Sequence, residues 1–144
     1  MATMAGPGQR FTIAYRSIVA GDLARPILVM QVTGINGRSG MVPGIVDSGA
    51  DTSSFPFDYA QLMGYGTTTL VTETFEQAGG SGNGYRALRA RTAVVPEIPG
   101  TVVSMTPSFI PGSGVVLWGR TDFMMAFDVT VSESNQQFTI TALR

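Results

Sequence analysis

Apolar and polar positions alternate with a period of two near the start of the chain. Phe11, Ile13 and Tyr15 alternate with polar or small residues, which predicts a half-buried strand, and Pro26 then introduces a stronger apolar run over 27–32. Asn36-Gly37 is a hairpin-turn signal, so 27–32 is expected to pair with a strand around 41–46. Pro43 and Gly44 inside that second strand suggest a bulge or an edge position.

Further along, 57–63 predicts one or two helical turns ended by Gly64, and 67–75, rich in β-branched residues, predicts a strand. The glycine cluster 78–84 separates that strand from a second one over 85–95, giving a long hairpin with a mobile, side-chain-poor tip. Strands are also expected at 101–105 and 115–118. Thr121 is placed to cap a short helix running to Phe127, with Asp122 in its first turn. Strands at 127–131 and 137–142, separated by the polar break Ser132-Glu133-Ser134-Asn135, make a terminal hairpin.

Composition narrows the fold to an all-β class. At 144 residues the chain is one domain by length, and 18 Gly with 8 Pro beside 44% hydrophobic residues fit a turn-rich β domain. Residues 1–10 read as a flexible lead-in to a domain over 11–144. No internal repeat interrupts that range.

Missing residue types remove whole reaction classes. With neither Cys nor His, the chain has no thiol nucleophile, no Ser-His-Asp triad and no zinc site of the common kind. All nine basic residues are Arg, so the glycine cluster lacks the Lys of a phosphate-binding loop. A net charge of -1 with scattered Arg offers no basic stripe for nucleic acid, and no apolar run approaches the ~20 residues that span a bilayer. The N-terminus lacks a charged start followed by an apolar core, so a cytoplasmic setting is the expectation.

The candidate chemistry sits in Gly44-Ile45-Val46-Asp47-Ser48-Gly49-Ala50-Asp51-Thr52, where an apolar strand delivers a carboxylate, a small hydroxyl and a glycine to a tight turn. The bland alternative is a turn Asp whose carboxylate accepts backbone hydrogen bonds. A calcium loop with Asp47, Asp51 and Asp58 at positions 1, 5 and 12 fails, because position 3 is Gly49 and position 6 is Thr52 rather than Gly. The glycine cluster reads equally well as a plain hairpin tip or as a flap closing over a substrate. Tyr85 reads as a strand-face packing residue, Asp122 as a helix-start acid and Asp128 as a solvated strand residue.

About 70 residues after the acidic loop, the apolar run Val116-Leu117-Trp118 ends in Gly119-Arg120. Asp-Ser-Gly-Ala-Asp, a glycine-rich hairpin, then apolar-apolar-Gly-Arg and a short helix, in that order over roughly 25–131, resemble the retropepsin-like aspartic proteases, closest to soluble bacterial-type members. The resemblance implies a retropepsin-like β-barrel with one short helix after Gly119-Arg120, a flap hairpin and a symmetric homodimer. Position by position it makes Asp47 the catalytic aspartate, Ser48 the hydroxyl that braces it across the dimer, and Gly49 a contact to substrate backbone. Ala50 and Asp51 would line the groove, with Gly79, Gly80, Ser81 and Gly82 in the flap. Arg120 would pair with Asp51 as a structural clamp beside Gly119. Trp118 departs from the smaller aliphatic usual in the family, Thr121 separates Arg120 from Asp122, and the terminal strand does not match the retroviral dimer-forming tail.

A single Asp-Ser-Gly per chain leaves half of a two-carboxylate site, so the resemblance implies a pepstatin-sensitive aspartic endopeptidase acting on polypeptides, with one Asp from each subunit and neither metal nor cofactor. The alternative is a non-catalytic module of the same fold that dimerises or binds peptides.

Overall fold

The computed structural model describes residues 8–77 and 80–143. Its strands are β1 (Arg10–Ala14), β2 (Ile27–Thr33), β3 (Ser39–Val46), β4 (Ser54–Pro56), β5 (Leu70–Gln77), β6 (Gly80–Ala87), β7 (Arg91–Val95), β8 (Ile98–Met105), β9 (Ser108–Ile110), β10 (Leu117–Trp118), β11 (Phe127–Ser132) and β12 (Gln137–Ala142). Two short helices, α1 (Asp58–Leu62) after β4 and α2 (Phe123–Ala126) after β10, complete the described residues. The molecule is mostly β. Among the described residues no helix is long and apolar enough to cross a membrane.

The strands form two sheets. One has the order β1-β12-β11, and the other runs β5-β6-β9-β4-β10-β3-β2-β7-β8. Among the described residues the nine-stranded sheet is open, with β5 and β8 as its edges, rather than the expected closed barrel. The β2–β3 hairpin follows the alternation: Leu28, Met30 and Val32 are buried on one strand and Val42 and Val46 on the other, while Gln31, Met41 and Pro43 face outward. Its turn has Gly37 at φ +79, the left-handed region open to glycine, with the Gly37 N–H donating to Gly34 O at 3.0 Å.

Pro43 and Gly44 make no bulge, since the register runs without a shift from Ile27↔Ile45 to Thr33↔Ser39. Pro43 is tolerated because β10 reaches only Ile45 and Val46, leaving that side of β3 unpaired at Pro43. Gly44 instead makes room for a side chain from another strand: a Cβ there would lie 2.6 Å from the Trp118 indole.

The expected strand over 85–95 is two strands on opposite wings of the sheet. β6 pairs with β5 and β9, β7 pairs with β2 and β8, and Leu88 between them donates its N–H to Thr69 O at 2.8 Å. Short β4 and β9 carry no alternation long enough to read, and they pair in parallel through Phe55 and Phe109. β1 begins inside the segment expected as a lead-in, and Gly8 N–H already bonds Ala142 O at 2.9 Å.

The core beneath the acidic loop is aromatic. Phe55 meets Trp118 edge-on with centroids 5.8 Å apart and Phe109 at 5.8 Å, and Tyr65 packs on Phe109 at 5.4 Å. Phe55, Phe109 and Trp118 have no exposed surface.

Candidate active site

β3 and β10 run parallel side by side, Ile45 opposite Leu117 and Val46 opposite Trp118. The Asp47 N–H donates to Trp118 O at 3.0 Å, so the ladder continues one residue past β3 and Asp47 emerges where both strands stop. Asp47 shares its strand face with half-buried Ile45, while Val46 and Trp118 point into the core.

The loop then folds back on its own carboxylate. Asp47 Oδ1 accepts the Gly49 N–H at 2.8 Å, and the Ala50 N–H donates to Asp47 O at 3.2 Å. A Cβ at Gly49 would stand 3.1 Å from Asp47 Oδ1, so glycine keeps that oxygen uncrowded. Asp47 is half-buried, and Ser48, Gly49 and Asp51 are exposed at the loop's crest.

The second strand end grips the loop mainly through backbone. Arg120 N–H donates to Ala50 O at 2.9 Å, and Thr121 gives both its N–H and its hydroxyl to Asp51 O at 2.8 Å. Gly119 lies so close that a Cβ would stand 2.6 Å from Thr52 O and 2.9 Å from Ala50 O. The Arg120 guanidinium stands 3.8 Å from the Asp51 carboxylate, with side chains 64% and 88% exposed, a geometry that contributes little to stability.

Two residues that the sequence reading did not place in the site complete the grip. The Asp122 carboxylate accepts the Ser53 N–H at 3.0 Å and the Ser53 hydroxyl at 2.7 Å, and the same hydroxyl accepts the Gly119 N–H at 3.0 Å. Asp122, not Thr121, is the N-cap of α2, accepting the Phe123 N–H at 2.6 Å. One carboxylate therefore starts the helix and fastens the end of the acidic loop to it. The only signal in the sequence is the Asp two places beyond Arg120.

The glycine cluster is distributed differently from expectation. Gly80, Ser81, Gly82, Asn83 and Gly84 lie within β6, paired with β5 from Gln77↔Gly80 to Glu73↔Gly84, so they form an arm of the hairpin rather than its tip. Gly79 lies outside the described residues. Gly84 is buried where a Cβ would stand 2.8 Å from Phe109 O, beside the Phe75 ring. Arg86 and Glu73 form a two-point ion pair across the two arms, and the Glu73 carboxylate holds the Arg86 guanidinium above its ordinary pKa. Tyr85 packs on Phe57 at 4.9 Å at the hairpin's base. Asp128 is an exposed strand residue.

A cleft of about 360 Å³ opens beside β3, with Ile27, Ile45, Val115, Val116 and Tyr59 among its walls and Arg16 at its lining; Asp47 does not line it.

Comparison with solved structures decides the architecture. The chain superposes on the crystal structure of a retropepsin-like aspartic protease from Rickettsia conorii with a TM-score of 0.67, covering 99% of this chain and 97% of that one at 14% sequence identity. The fold is that of a retropepsin-like aspartic protease. A scan against protein-family models and a search of curated proteins found no match. At such identity the shared feature is the course of the backbone, and function is argued from the residues of the site.

Proposed function

We propose that the chain is an aspartic endopeptidase in which Asp47 supplies one carboxylate of a two-carboxylate site and a second copy supplies the other. The reading is carried by one observation: on a retropepsin-like backbone, a half-buried carboxylate in Asp-Ser-Gly stands at the paired ends of β3 and β10, in a loop tied down by six hydrogen bonds from Gly119, Arg120, Thr121 and Ser53. Such a loop is preorganised before substrate arrives.

Two Asp47 carboxylates facing each other across a two-fold axis repel when both are charged, so the proposed pair shares one proton. The ionised member takes a proton from a bound water, which attacks the peptide carbonyl. The protonated member hydrogen-bonds the developing oxyanion, and proton return to the leaving nitrogen completes the cut. Ser48 braces the dyad across the dimer, and Gly49 with Ala50 presents the loop to substrate backbone. The β5–β6 hairpin acts as the flap, with Gly80, Ser81 and Gly82 toward its closing end.

Asp47→Asn tests this reading. Incubated with a mixed peptide library between mildly acidic and neutral pH, the wild-type chain cleaves and is inhibited by pepstatin, while the variant keeps its circular dichroism spectrum and cleaves nothing. Pepstatin-sensitive turnover retained by the variant would sink the assignment, and absence of cleavage by the wild type under every condition favours a non-catalytic peptide-binding module.

A further inference from the structure

The homodimer invoked above needs a contact surface, and the small sheet narrows where it lies. β12 is the central strand of β1-β12-β11, so both of its edges are occupied within one chain and it has none to exchange with a partner. Two edges remain. The line of β1 continues into Tyr15, whose N–H donates inward to Gln136 O at 2.7 Å, and then Arg16, whose N–H and carbonyl pair with Arg25 at 3.1 and 2.9 Å. Successive N–H groups of an extended chain point to opposite sides, so the Arg25 segment covers the outer side of that line at Arg16, just beyond β1, and shortens the edge left there to Arg10–Ala14. β11 has β12 on one side and, among the described residues, no strand on the other.

The side chains of β11 point the same way. Phe127, Val129 and Val131 occupy one face of the strand, paired with Ala142, Ile140 and Phe138. Cover is lost along it: Phe127 is buried, Val129 half-buried, and Val131 is 52% exposed although it belongs to the apolar face. Met125, two residues before the strand, is 72% exposed. An open edge ending in uncovered apolar surface is a template for strand pairing.

We infer that a second copy of this chain pairs with it edge to edge through β11, making one continuous six-stranded sheet, β1-β12-β11-β11-β12-β1, without exchange of strands. The inference rests on the homodimeric reading of the site and gives that dimer its contact. β11 follows α2 directly, and α2 is capped by the Asp122 carboxylate that holds Ser53, so the edge and the acidic loop share one rigid connection.

Symmetry restricts the register. A two-fold axis perpendicular to a continuous antiparallel sheet keeps each face on its own side, so opposed residues share a face and the axis passes through a residue rather than between two. Centred on Asp128, the pairing would set like charges against each other. Centred on Val129 or on Thr130, it covers Val131 with partner side chains from the same apolar face.

The chain contains no Cys, so single introduced cysteines report the register cleanly. Directly opposed strand residues have Cα atoms about 4.5–5.5 Å apart, within disulfide range. The full-length Val129→Cys or Thr130→Cys variant forms a disulfide-linked dimer under mild oxidation, while Thr12→Cys on β1 does not. Val131→Lys raises the dimer dissociation constant, measured by sedimentation, by at least about tenfold, with an unchanged circular dichroism spectrum. A wild-type dimer that Val131→Lys leaves intact and that neither β11 cysteine links would overturn this interface while leaving the dimeric protease reading standing. A wild-type chain that cleaves peptides as a monomer would overturn both.

Discussion

The indole of Trp118 occupies the place where residue 44 would carry a side chain, and it does so because residue 44 is glycine. The ring lies so close that a Cβ on Gly44 would be 2.6 Å from it, and its Nε1–H donates to Leu28 O at 2.9 Å. The bulk of the indole is thus accommodated by a glycine on the neighbouring strand.

This fit predicts non-additive substitutions. Gly44→Ala overpacks the site and costs about 1–3 kcal/mol. Trp118→Phe removes the donor to Leu28 and part of the ring, and costs on the order of 1–3 kcal/mol. The double variant loses less than the sum, because the smaller ring frees the space the new methyl needs. Urea unfolding followed by circular dichroism measures this, and strict additivity would show that the two residues do not share one site.

Asp122 serves both the helix cap and the acidic loop, so its removal affects stability and turnover together. Asp122→Ala loses a cap, about 0.5–2 kcal/mol, and leaves the buried Ser53 donors unmet, about 1–3 kcal/mol more. Asp122→Asn keeps one acceptor oxygen and loses less. The cleavage rate against a peptide substrate falls in the same order, and equal rates in all three forms would separate Asp122 from the loop's positioning.

Gly119 and Arg120 are adjacent and differ sharply in weight. Gly119→Ala drives a methyl against backbone atoms of Ala50 and Thr52, which cannot move aside as a side chain would, and costs about 1–3 kcal/mol or more. Arg120→Ala removes an exposed, long ion pair and costs less than about 1 kcal/mol, because the Arg120 N–H to Ala50 O survives the change. Thermal unfolding at low and high salt distinguishes them: only the wild-type margin over Arg120→Ala shrinks with added salt.

Tyr65 makes the fold sensitive to alkali. Burial pushes its phenol up to about 12 from its ordinary value of 10.0, with Arg91 and Arg89 partly offsetting the rise, and the hydroxyl donates to Arg89 O at 2.6 Å. Because the folded value is the higher, the unfolded chain loses this proton first, so the contribution is whole below pH 10 and is lost as pH rises toward about 12. Tyr65→Phe is less stable than wild type at neutral pH and flattens the decline across that window, as read from urea midpoints at successive pH values. An unchanged slope would assign the alkaline decline to another group.

The hairpin around Asn36-Gly37, the paired strands on either side of it and the terminal hairpin were legible because their signals are local. Alternation across 27–33 and 39–46, and a glycine where a turn needs positive φ, are properties of neighbouring residues. The Asp-Ser-Gly turn was legible for the same reason. The split at Leu88 was not, since β6 and β7 are both β-rich and only their partners, β9 on one wing and β2 on the other, divide them. Gly80–Gly84 read as a tip because glycine marks turns, yet Gly84 lies in the strand where a side chain would run into the Phe75 ring and Phe109 O.

By itself the sequence determined the chemistry on offer: one carboxylate in a small-residue turn, no thiol, imidazole or amine to compete with it, and enough alternating strand to raise it on a β scaffold. Tertiary structure decided what holds that carboxylate in place. Ser53 and Asp122 are 69 residues apart, and Gly44 and Trp118 meet only when β10 slots beside β3. Contacts of that separation depend on chain closure rather than on neighbours, so no local pattern encodes them. The exposed Asp51–Arg120 pair was expected from the family resemblance, while the grip on the loop came from backbone groups, a buried serine and the Asp122 carboxylate.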